Sequence, residues 1–388
     1  MPRLLIVSYA YPPLGGIAII RQLTLAREAK KQGWEVAFLA VANDPLYLKD
    51  PTISTEAKPV WGYRYPIFMI TNRFFRRILP GKQFLWIFLD TFYDWVPGAV
   101  KAGKLLHEKW PYDVIFATAP RYSSLRVAAK LKEEFGVPAI ADLRDSYLAN
   151  FTFDYIHPWY HRFLQIYYNK LLSKFDKITA VDQNAVKGVD YSYEIIWNGY
   201  DENEFQGEME RYEDFTISYI GTFYEQYHLV PFLKAVRRLK KSSQIPLKFL
   251  FVGSGCEIVE KISRKLKIDN LEVMGRVPRA KAIEIMRKSH VLLSFAGDAT
   301  NALGAKIFEC ARTGATVLNL SRRNNDPWRF VEETGLAVNV DSRNSKAIED
   351  AILRATERTN YSPPSDIEMY SRQKSARQLL EIMEKQIN

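Results

Sequence analysis

Residues 4–40 read LLIVSYAYPPLGGIAIIRQLTLAREAKKQGWEVAFLA, and this stretch decides the fold class. Leu4-Leu5-Ile6-Val7 is a short apolar run of strand type, followed by a loop from Tyr9 to Gly16. Ile19, Leu23 and Ala26 then recur at spacings of four and three, which places them on one face of a helix. Gly33 stands where a helix ends on a residue without a Cβ. Trp34 to Ala40 is the next strand. Strand, loop, helix and strand in that order open an α/β domain.

Working outward, the alternation resumes at Val114–Thr118, Pro138–Ala141, Ile178–Val181 and Glu194–Trp197. These runs carry few polar residues, as in parallel strands covered on both faces. Asp201 to Asp214 is polar and acidic and reads as an interdomain linker. A second series follows, with strands expected at Phe215–Ile220, Leu247–Val252, Leu271–Met274, Val291–Phe295, Ala315–Leu320 and Leu336–Val340. Two successive series predict two doubly wound α/β domains facing each other, with function in the loops at the carboxyl ends of the strands. The expected division is 1–200, 201–365 and a C-terminal helix within 366–388. Met369, Ala376, Leu379, Leu380 and Met383 give that helix an apolar stripe that can pack back on either domain, the N-terminal one included.

The composition fits this plan. The 388 residues are 47% hydrophobic and 25% charged, which excludes a disordered or fibrous chain. Two cysteines, Cys256 and Cys310, exclude a disulfide framework and point to a reducing compartment. Leu4–Val7 is too short for a secretory leader, and no run of about 18 apolar residues occurs. A cytoplasmic protein is expected. Residues 1–200 hold 25 basic and 18 acidic side chains, and much of that excess sits in 61–110, with eight basic and three acidic. Aromatic residues crowd the same segment, among them Phe74, Phe75, Phe84, Trp86, Phe88, Phe92, Tyr93 and Trp95. Two readings stay open there. One is a helical insertion lying on an anionic membrane, which makes the protein peripheral on the inner face of the cytoplasmic membrane. The other is an α-hairpin packed on the first sheet with its charges solvated.

Several loops carry chemistry. Gly15 and Gly16 let a ligand approach the backbone where a helix begins. Asp142-Leu143-Arg144-Asp145 crowds three charges at the end of a strand, either around a ligand or as an Arg–Asp ion pair closing a loop. Asn301-Ala302-Leu303-Gly304-Ala305-Lys306-Ile307-Phe308-Glu309 places a helix start, a cation and a carboxylate beside one another. Such a start stabilises a diphosphate, and Glu309 accepts from paired sugar hydroxyls. Phe251-Val252-Gly253-Ser254-Gly255-Cys256 imitates a dinucleotide fingerprint, but Ile258 replaces its third glycine. P-loop, HExxH and GxSxG patterns do not occur, which argues against kinase, metalloprotease and esterase readings. His157 and His161 lie four apart without a third ligand nearby, so no metal site is expected.

Taken in order, these segments resemble a GT-B glycosyltransferase of the family 4 type. The resemblance runs from Tyr11-Pro12-Pro13 and Gly33-Trp34-Glu35-Val36 through Ala119-Pro120-Arg121-Tyr122-Ser123-Ser124 and Asn198-Gly199-Tyr200-Asp201 to Gly275-Arg276-Val277 and Gly304–Glu309. It implies two Rossmann-like domains across a cleft, an N-terminal acceptor domain and a C-terminal domain for a nucleotide sugar. The implied reaction is retaining transfer of a sugar to a hydroxyl of a lipid-linked, polysaccharide or other glycan acceptor, without metal or other cofactor. By position, Glu309 would bind the ribose, with Arg276 and Val277 near the base. Gly15, Gly16, Gly221, Thr222, Gly253, Gly304, Ala305 and Lys306 would surround the donor. Arg144 and Asp145 fall where a catalytic or acceptor-orienting histidine often sits, and Asn301 replaces a glutamate that contacts the donor sugar. Gly221-Thr222-Phe223-Tyr224-Glu225-Gln226-Tyr227-His228 lacks the usual basic pair. Phosphate charge then falls to Lys306, to a protonated His228 or to backbone dipoles.

Two other functions compete. A nucleotide-sugar epimerase shares this fold and needs the donor alone. A nucleic-acid-binding protein would suit the basic balance, but no helix-turn-helix, zinc or RNP motif is present, so no nucleic-acid partner is expected.

Overall fold

The computed structural model describes residues 1–14, 17–42, 59–62, 92–146, 158–223, 226–296 and 306–387. They form two units: 1–197 with 372–388, and 198–371. Both boundaries fall within a few residues of the expected ones. The C-terminal segment returns to the first unit.

The first unit is built on a parallel sheet in the order β3-β2-β1-β4-β5-β6-β7. Its strands are β1 (Arg3–Val7), β2 (Glu35–Val41), β3 (Pro59–Gly62), β4 (Val114–Ala119), β5 (Ala139–Leu143), β6 (Lys177–Ala180) and β7 (Glu194–Ile195). Val7 pairs with Leu39 on one side and with Ala117 on the other. The order reverses direction between β1 and β4, the switch point at which such sheets open a crevice. Every residue of β4 and β5 is buried, as their uninterrupted apolar runs require. The helices are α1 (Ile17–Lys31), α2 (Val96–Lys109), α3 (Tyr122–Phe135), α4 (Pro158–Leu172) and, from the end of the chain, α11 (Arg372–Ile387).

Helix α11 packs on α1 and sends Ala376, Leu379, Leu380 and Met383 into the first unit's core. Each buried leucine there contributes about 2 kcal/mol. Arg377 Nε holds Glu28 Oε2 at 3.2 Å, and Ser375 Oγ donates to the Trp197 carbonyl at 2.9 Å. The part of the insertion that is described, 92–110, takes the packed reading. Trp95 is fully buried, and Phe92 and Trp95 lie against Tyr9 with ring centroids 4.4 and 5.3 Å away. Gly103 on α2 lies so close to Leu131 that a Cβ would sit 2.6 Å from its Cδ1. This corrects the interfacial reading for those residues: their apolar face is taken by the sheet and α3. Residues 63–91 lie outside the described residues.

The second unit has the sheet order β10-β9-β8-β11-β12-β13, again parallel. Its strands are β8 (Phe215–Ile220), β9 (Leu247–Val252), β10 (Leu271–Met274), β11 (Val291–Ala296), β12 (Thr316–Ser321) and β13 (Val338–Asp341). The helices are α5 (Gln226–Ser242), α6 (Glu257–Lys265), α7 (Arg279–Lys288), α8 (Lys306–Arg312), α9 (Asp326–Thr334) and α10 (Ser345–Thr356). Its core is aromatic: Phe232, Phe249 and Phe251 are fully buried, Phe232 meets the other two and Phe295 edge-on, and Phe251 lies tilted against Tyr219 and Phe295.

The acidic stretch read as an interdomain linker is fastened to the second unit. Glu204 pairs with Arg279 at 2.5 Å, Glu202 pairs with Arg312, and Arg211 donates to the carbonyls of Ser289 and Thr313. Arg287 reaches back to the Gln206 and Gly207 carbonyls. Two of its carboxylates, Glu202 and Glu204, are placed against arginines at helix ends. No helix among the described residues is long and apolar enough to cross a membrane.

Candidate functional site

In the second unit, the loops after β8, β9, β10 and β11 share one edge because all four strands are parallel. Gly221 follows β8 with φ +147, a region other residues rarely occupy, and its N–H donates to the Val252 carbonyl at 2.7 Å. A Cβ on Gly221 would stand 1.7 Å from the Lys306 ammonium nitrogen. Gly253 follows β9 with φ +131, and a Cβ there would stand 2.1 Å from the Gly221 carbonyl oxygen. The glycines thus serve close approach: two strand ends touch, and the Lys306 side chain lies directly on the Gly221 backbone. Thr222 is exposed, and its carbonyl accepts from the Tyr219 hydroxyl at 2.8 Å.

Lys306 is the first residue of α8. Burial pushes its ammonium below the ordinary lysine range, with Glu309 acting in the opposite direction. An ammonium desolvated in this way, lying on the Gly221 loop at the end of β8, is electrostatically poised for an anion. The β8–β11 neighbourhood is the point where this sheet's strand order reverses. Cys256 and Cys310 are both buried free thiols, and burial raises them to about 11 and about 12. They titrate too high to act as nucleophiles near neutral pH.

Glu309 is also buried, at 1% exposure, and Arg279 Nη2 donates to its Oε1 at 2.8 Å. Arg279 bridges Glu309 and Glu204, whose Oε1 and Oε2 each lie 2.5 Å from the guanidinium. Burial works against the Arg279 charge, but the two carboxylates outweigh it and hold the guanidinium above its usual range. Arg279 was not among the residues expected from sequence. Its signal was modest: a basic residue right after Val277-Pro278, at a helix start where acids are the usual choice. Arg276 is exposed in the turn before it and Val277 is half-buried, so Arg276, Val277, Arg279, Lys306 and Glu309 border one strand edge together with the Gly221 and Gly253 loops. His228, offered as a phosphate partner, is 3% exposed on α5. Asn301, Gly304 and Ala305 lie outside the described residues.

The opposite, amino-terminal edge of the same sheet carries a cavity of about 510 Å³, bordered by Arg211, Arg287, Arg312 and Tyr361. Its arginines hold carbonyls and Glu202, so it belongs to the strap that fastens 201–214.

In the first unit, β1, β4 and β5 are neighbours and bring three loops to one edge. The described part of the first loop is anchored by buried Tyr9, Tyr11 and Leu14; Gly15 and Gly16 lie outside the described residues. Asp142 is wholly buried within β5 and receives Arg21 through two contacts, 3.1 and 3.0 Å, with Thr118 and Thr179 hydroxyls at 3.2 and 2.9 Å. The ion-pair alternative therefore holds for Asp142, but its arginine is Arg21 of α1. The reason is geometric: β5 turns Asp142 inward, below the loop. Arg144 folds back, its backbone N–H and its Nε both donating to the Ala119 carbonyl at 3.0 and 3.2 Å. Asp145 is exposed, and its carbonyl accepts from the Tyr122 hydroxyl at 3.0 Å. Arg144 and Asp145 thus remain at the loop edge while Asp142 leaves it.

Residues 214–358 match the family model described as glycosyl transferases group 1. No curated protein sequence matches the chain. Among solved structures, a glycosyltransferase from Rickettsia africae aligns with 100% of this chain and 99% of its own, at 13% identity and a TM-score of 0.64. The lipopolysaccharide outer core galactosyltransferase WaaB aligns over 99% of each chain at 14% identity and a TM-score of 0.60. A UDP-GlcNAc 2-epimerase from Neisseria meningitidis, bound to UDP-GlcNAc, aligns with 99% of this chain and 100% of its own at 11% identity and a TM-score of 0.53. At these identities the likenesses define the fold, which is GT-B: two Rossmann-like units in one chain. The chain has the GT-B fold, and residues 214–358, within its second unit, match the glycosyl transferases group 1 family.

Proposed function

We propose that the protein transfers a sugar, with retention of configuration, from a nucleotide-sugar donor to a hydroxyl of a lipid-linked, polysaccharide or other glycan acceptor. The observation that carries this reading is the Lys306 ammonium, desolvated and lying on the Gly221 backbone at the switch point of the second sheet. Transfer breaks the bond between the anomeric carbon and the diphosphate, and charge grows on the leaving oxygens. A cation already stripped of water stabilises that charge more than a solvated one does. The Gly221 and Gly253 loops let a ligand approach closely, and Glu309, positioned by Arg279, faces the ribose. Arg276 and Val277 border the base. On the acceptor side, Arg144 and Asp145 orient the incoming hydroxyl. The Arg144 guanidinium serves as a cation and not as a base, because it does not lose its proton at neutral pH. The basic residues of 61–110 that precede the packed part, Arg64, Arg73, Arg76, Arg77 and Lys82, bring the acceptor domain to an anionic lipid surface, where a lipid-linked acceptor resides.

A melting-temperature screen of nucleoside diphosphates and their sugars tests the donor. Stabilisation by one base series, lost in Glu309→Ala, is expected. An equally stabilised Glu309→Ala protein overturns the ribose assignment. Incubation with the stabilising nucleotide sugar alone separates the readings: an epimerised sugar favours the epimerase, which the Neisseria neighbour shares as a fold.

A further inference from the structure

In the second unit, Arg279 is matched by Glu204 and Glu309, and Arg312 by Glu202. Three other half-buried arginines are not matched. Arg211, Arg287 and Arg358 have no carboxylate partner among the described residues. Arg211 donates to the Ser289 carbonyl and, at 2.7 Å, to that of Thr313. Arg287 donates to the Gln206 carbonyl at 2.9 Å and to that of Gly207. Arg358 donates to the Asn360 carbonyl and the Thr316 hydroxyl at 2.6 and 3.1 Å. The Arg211 and Arg358 guanidiniums stand 4.7 and 5.7 Å from the centre of one ring, that of Tyr361. Every one of these partners is neutral.

Hydrogen bonds are thus met while charge is not. Burial pushes the Arg211 guanidinium below its ordinary range; Tyr361 opposes this, and the charges of Arg358 and Arg287 add to it. Burial acts on Arg279 too, but there two carboxylates reverse the outcome. Helix ends offset part of the excess. Helices α7, α8 and α10 end at Lys288, Arg312 and Thr356, close to these arginines in sequence or through the Ser289 and Thr313 carbonyls. Each carboxyl end is worth about half a negative charge, so three cations keep an excess of about one and a half. Two carboxylates border the adjoining cavity: Glu202 is occupied by Arg312, and Glu208 is exposed. Partly buried cations left without a counter-charge are costly, which a bound anion would relieve.

We infer that the cavity of about 510 Å³ bordered by Arg211, Arg287 and Tyr361 is a second anion site, which takes a phosphate group, free or as the monoester of a small molecule. Such a group carries about 1.5 to 2 negative charges at neutral pH, which matches the excess. A nucleoside diphosphate carries more. A guanidinium has five donors, so two carbonyls leave Arg211 and Arg287 donors to spare, and the planar fork suits phosphate oxygens. Arg358 adds its charge across the shared Tyr361 ring. The volume falls in the range of small-molecule sites, roughly 300–1,000 Å³. Ser289 and Thr313 stand just before β11 and β12, so this site lies at the amino-terminal edge of the sheet, opposite Lys306, and does not depend on the donor reading. One wall is the strap itself, through Gln206 and Gly207.

Calorimetric titration of the full chain with inorganic phosphate at fixed ionic strength tests it, with acetate as the singly charged control. Lys306→Met is titrated beside the wild type, because phosphate also reaches the donor site. Lys306→Met is expected to keep a phosphate site that acetate fills far more weakly. In that background Arg287→Gln should weaken phosphate binding about thirtyfold, the loss of one charge-assisted hydrogen bond. Lys265→Gln, an exposed cation elsewhere on the second unit, should leave it unchanged. Should Arg287→Gln loosen the strap, hydrogen exchange of the wild type with and without phosphate reads the same point, with protection expected over 206–211, 286–289 and 358–362. Glucose 6-phosphate binding more tightly than inorganic phosphate supports a monoester as the occupant, and equal binding supports free phosphate. No phosphate binding by Lys306→Met, undiminished binding by Arg287→Gln, equal binding of acetate, or protection confined to 306–310 overturns the inference. Equal weakening by Arg287→Gln and Lys265→Gln also overturns it, since net charge alone then attracts the anion.

Discussion

Replacing Lys306 by methionine should separate folding from donor binding. Methionine keeps the apolar stem and removes the ammonium that lies on Gly221. Because burial has already pushed that ammonium below the ordinary range, the charge is a cost to the free protein. Its removal should leave stability unchanged or raise it by about 1 kcal/mol. The linkage has a definite sign. The unfolded chain keeps the Lys306 proton up to about 10.5, whereas the folded protein releases it earlier. Wild-type stability therefore rises with pH between the lowered value and 10.5, and Lys306→Met should lack that rise. A nucleoside diphosphate needs the charged form, so its affinity should fall with pH over the same window. Loss of one charge-assisted hydrogen bond, about 2 kcal/mol, weakens binding about thirtyfold. Calorimetric titration of both proteins at neutral and alkaline pH, with parallel denaturant melts, reads all three effects. Equal diphosphate affinity in the two proteins refutes the anion role of Lys306. A Lys306→Met protein several kcal/mol less stable than wild type would show that the ammonium is structural.

Three further outcomes follow from the geometry. Asp142→Asn removes the charge that meets buried Arg21 and should cost about 3 kcal/mol in denaturant melts, with nucleotide affinity unchanged; wild-type stability contradicts the scaffold role. Gly253→Ala puts a methyl 2.1 Å from the Gly221 carbonyl at a positive φ, and should cost about 3 kcal/mol while also weakening nucleotide binding. Glu202 is held below the ordinary carboxylate range by its hydrogen bond from Arg312, so its contribution is present above about pH 4.5 and is lost as pH falls through the lowered value. Glu202→Gln should flatten the acid limb of the stability profile; an unchanged limb removes this link.

Much of the fold was legible because parallel strands covered on both faces leave unbroken apolar runs. Val114–Thr118 and Phe215–Ile220 needed no tertiary information to be recognised. The order of motifs, from Tyr11-Pro12-Pro13 to Gly304–Glu309, carried the resemblance to the GT-B fold. The loop charges were harder. Asp142, Arg144 and Asp145 read as one charged loop, gathered around a ligand or closed by an Arg–Asp pair. Asp142 instead meets Arg21, 121 residues away, because the strand turns it inward. The fastening of the linker 201–214 was not legible because the partners of its Glu204 and Glu202, Arg279 and Arg312, lie far along the chain. Phe92 and Trp95 belong to a segment of interfacial composition, and only the packing of Tyr9 against them reveals core. Arg279 went unnoticed because its role depends on two carboxylates brought together from residues 204 and 309.

Hydrogen exchange with and without a stabilising nucleoside diphosphate tests the placement of the donor site most directly. Added protection should concentrate at 221–223, 253–256, 276–279 and 306–310, the loops around Gly221, Gly253, Arg279 and Lys306. Protection centred instead on the arginines of the opposite edge, Arg211 and Arg287, or confined to the first unit, would contradict it.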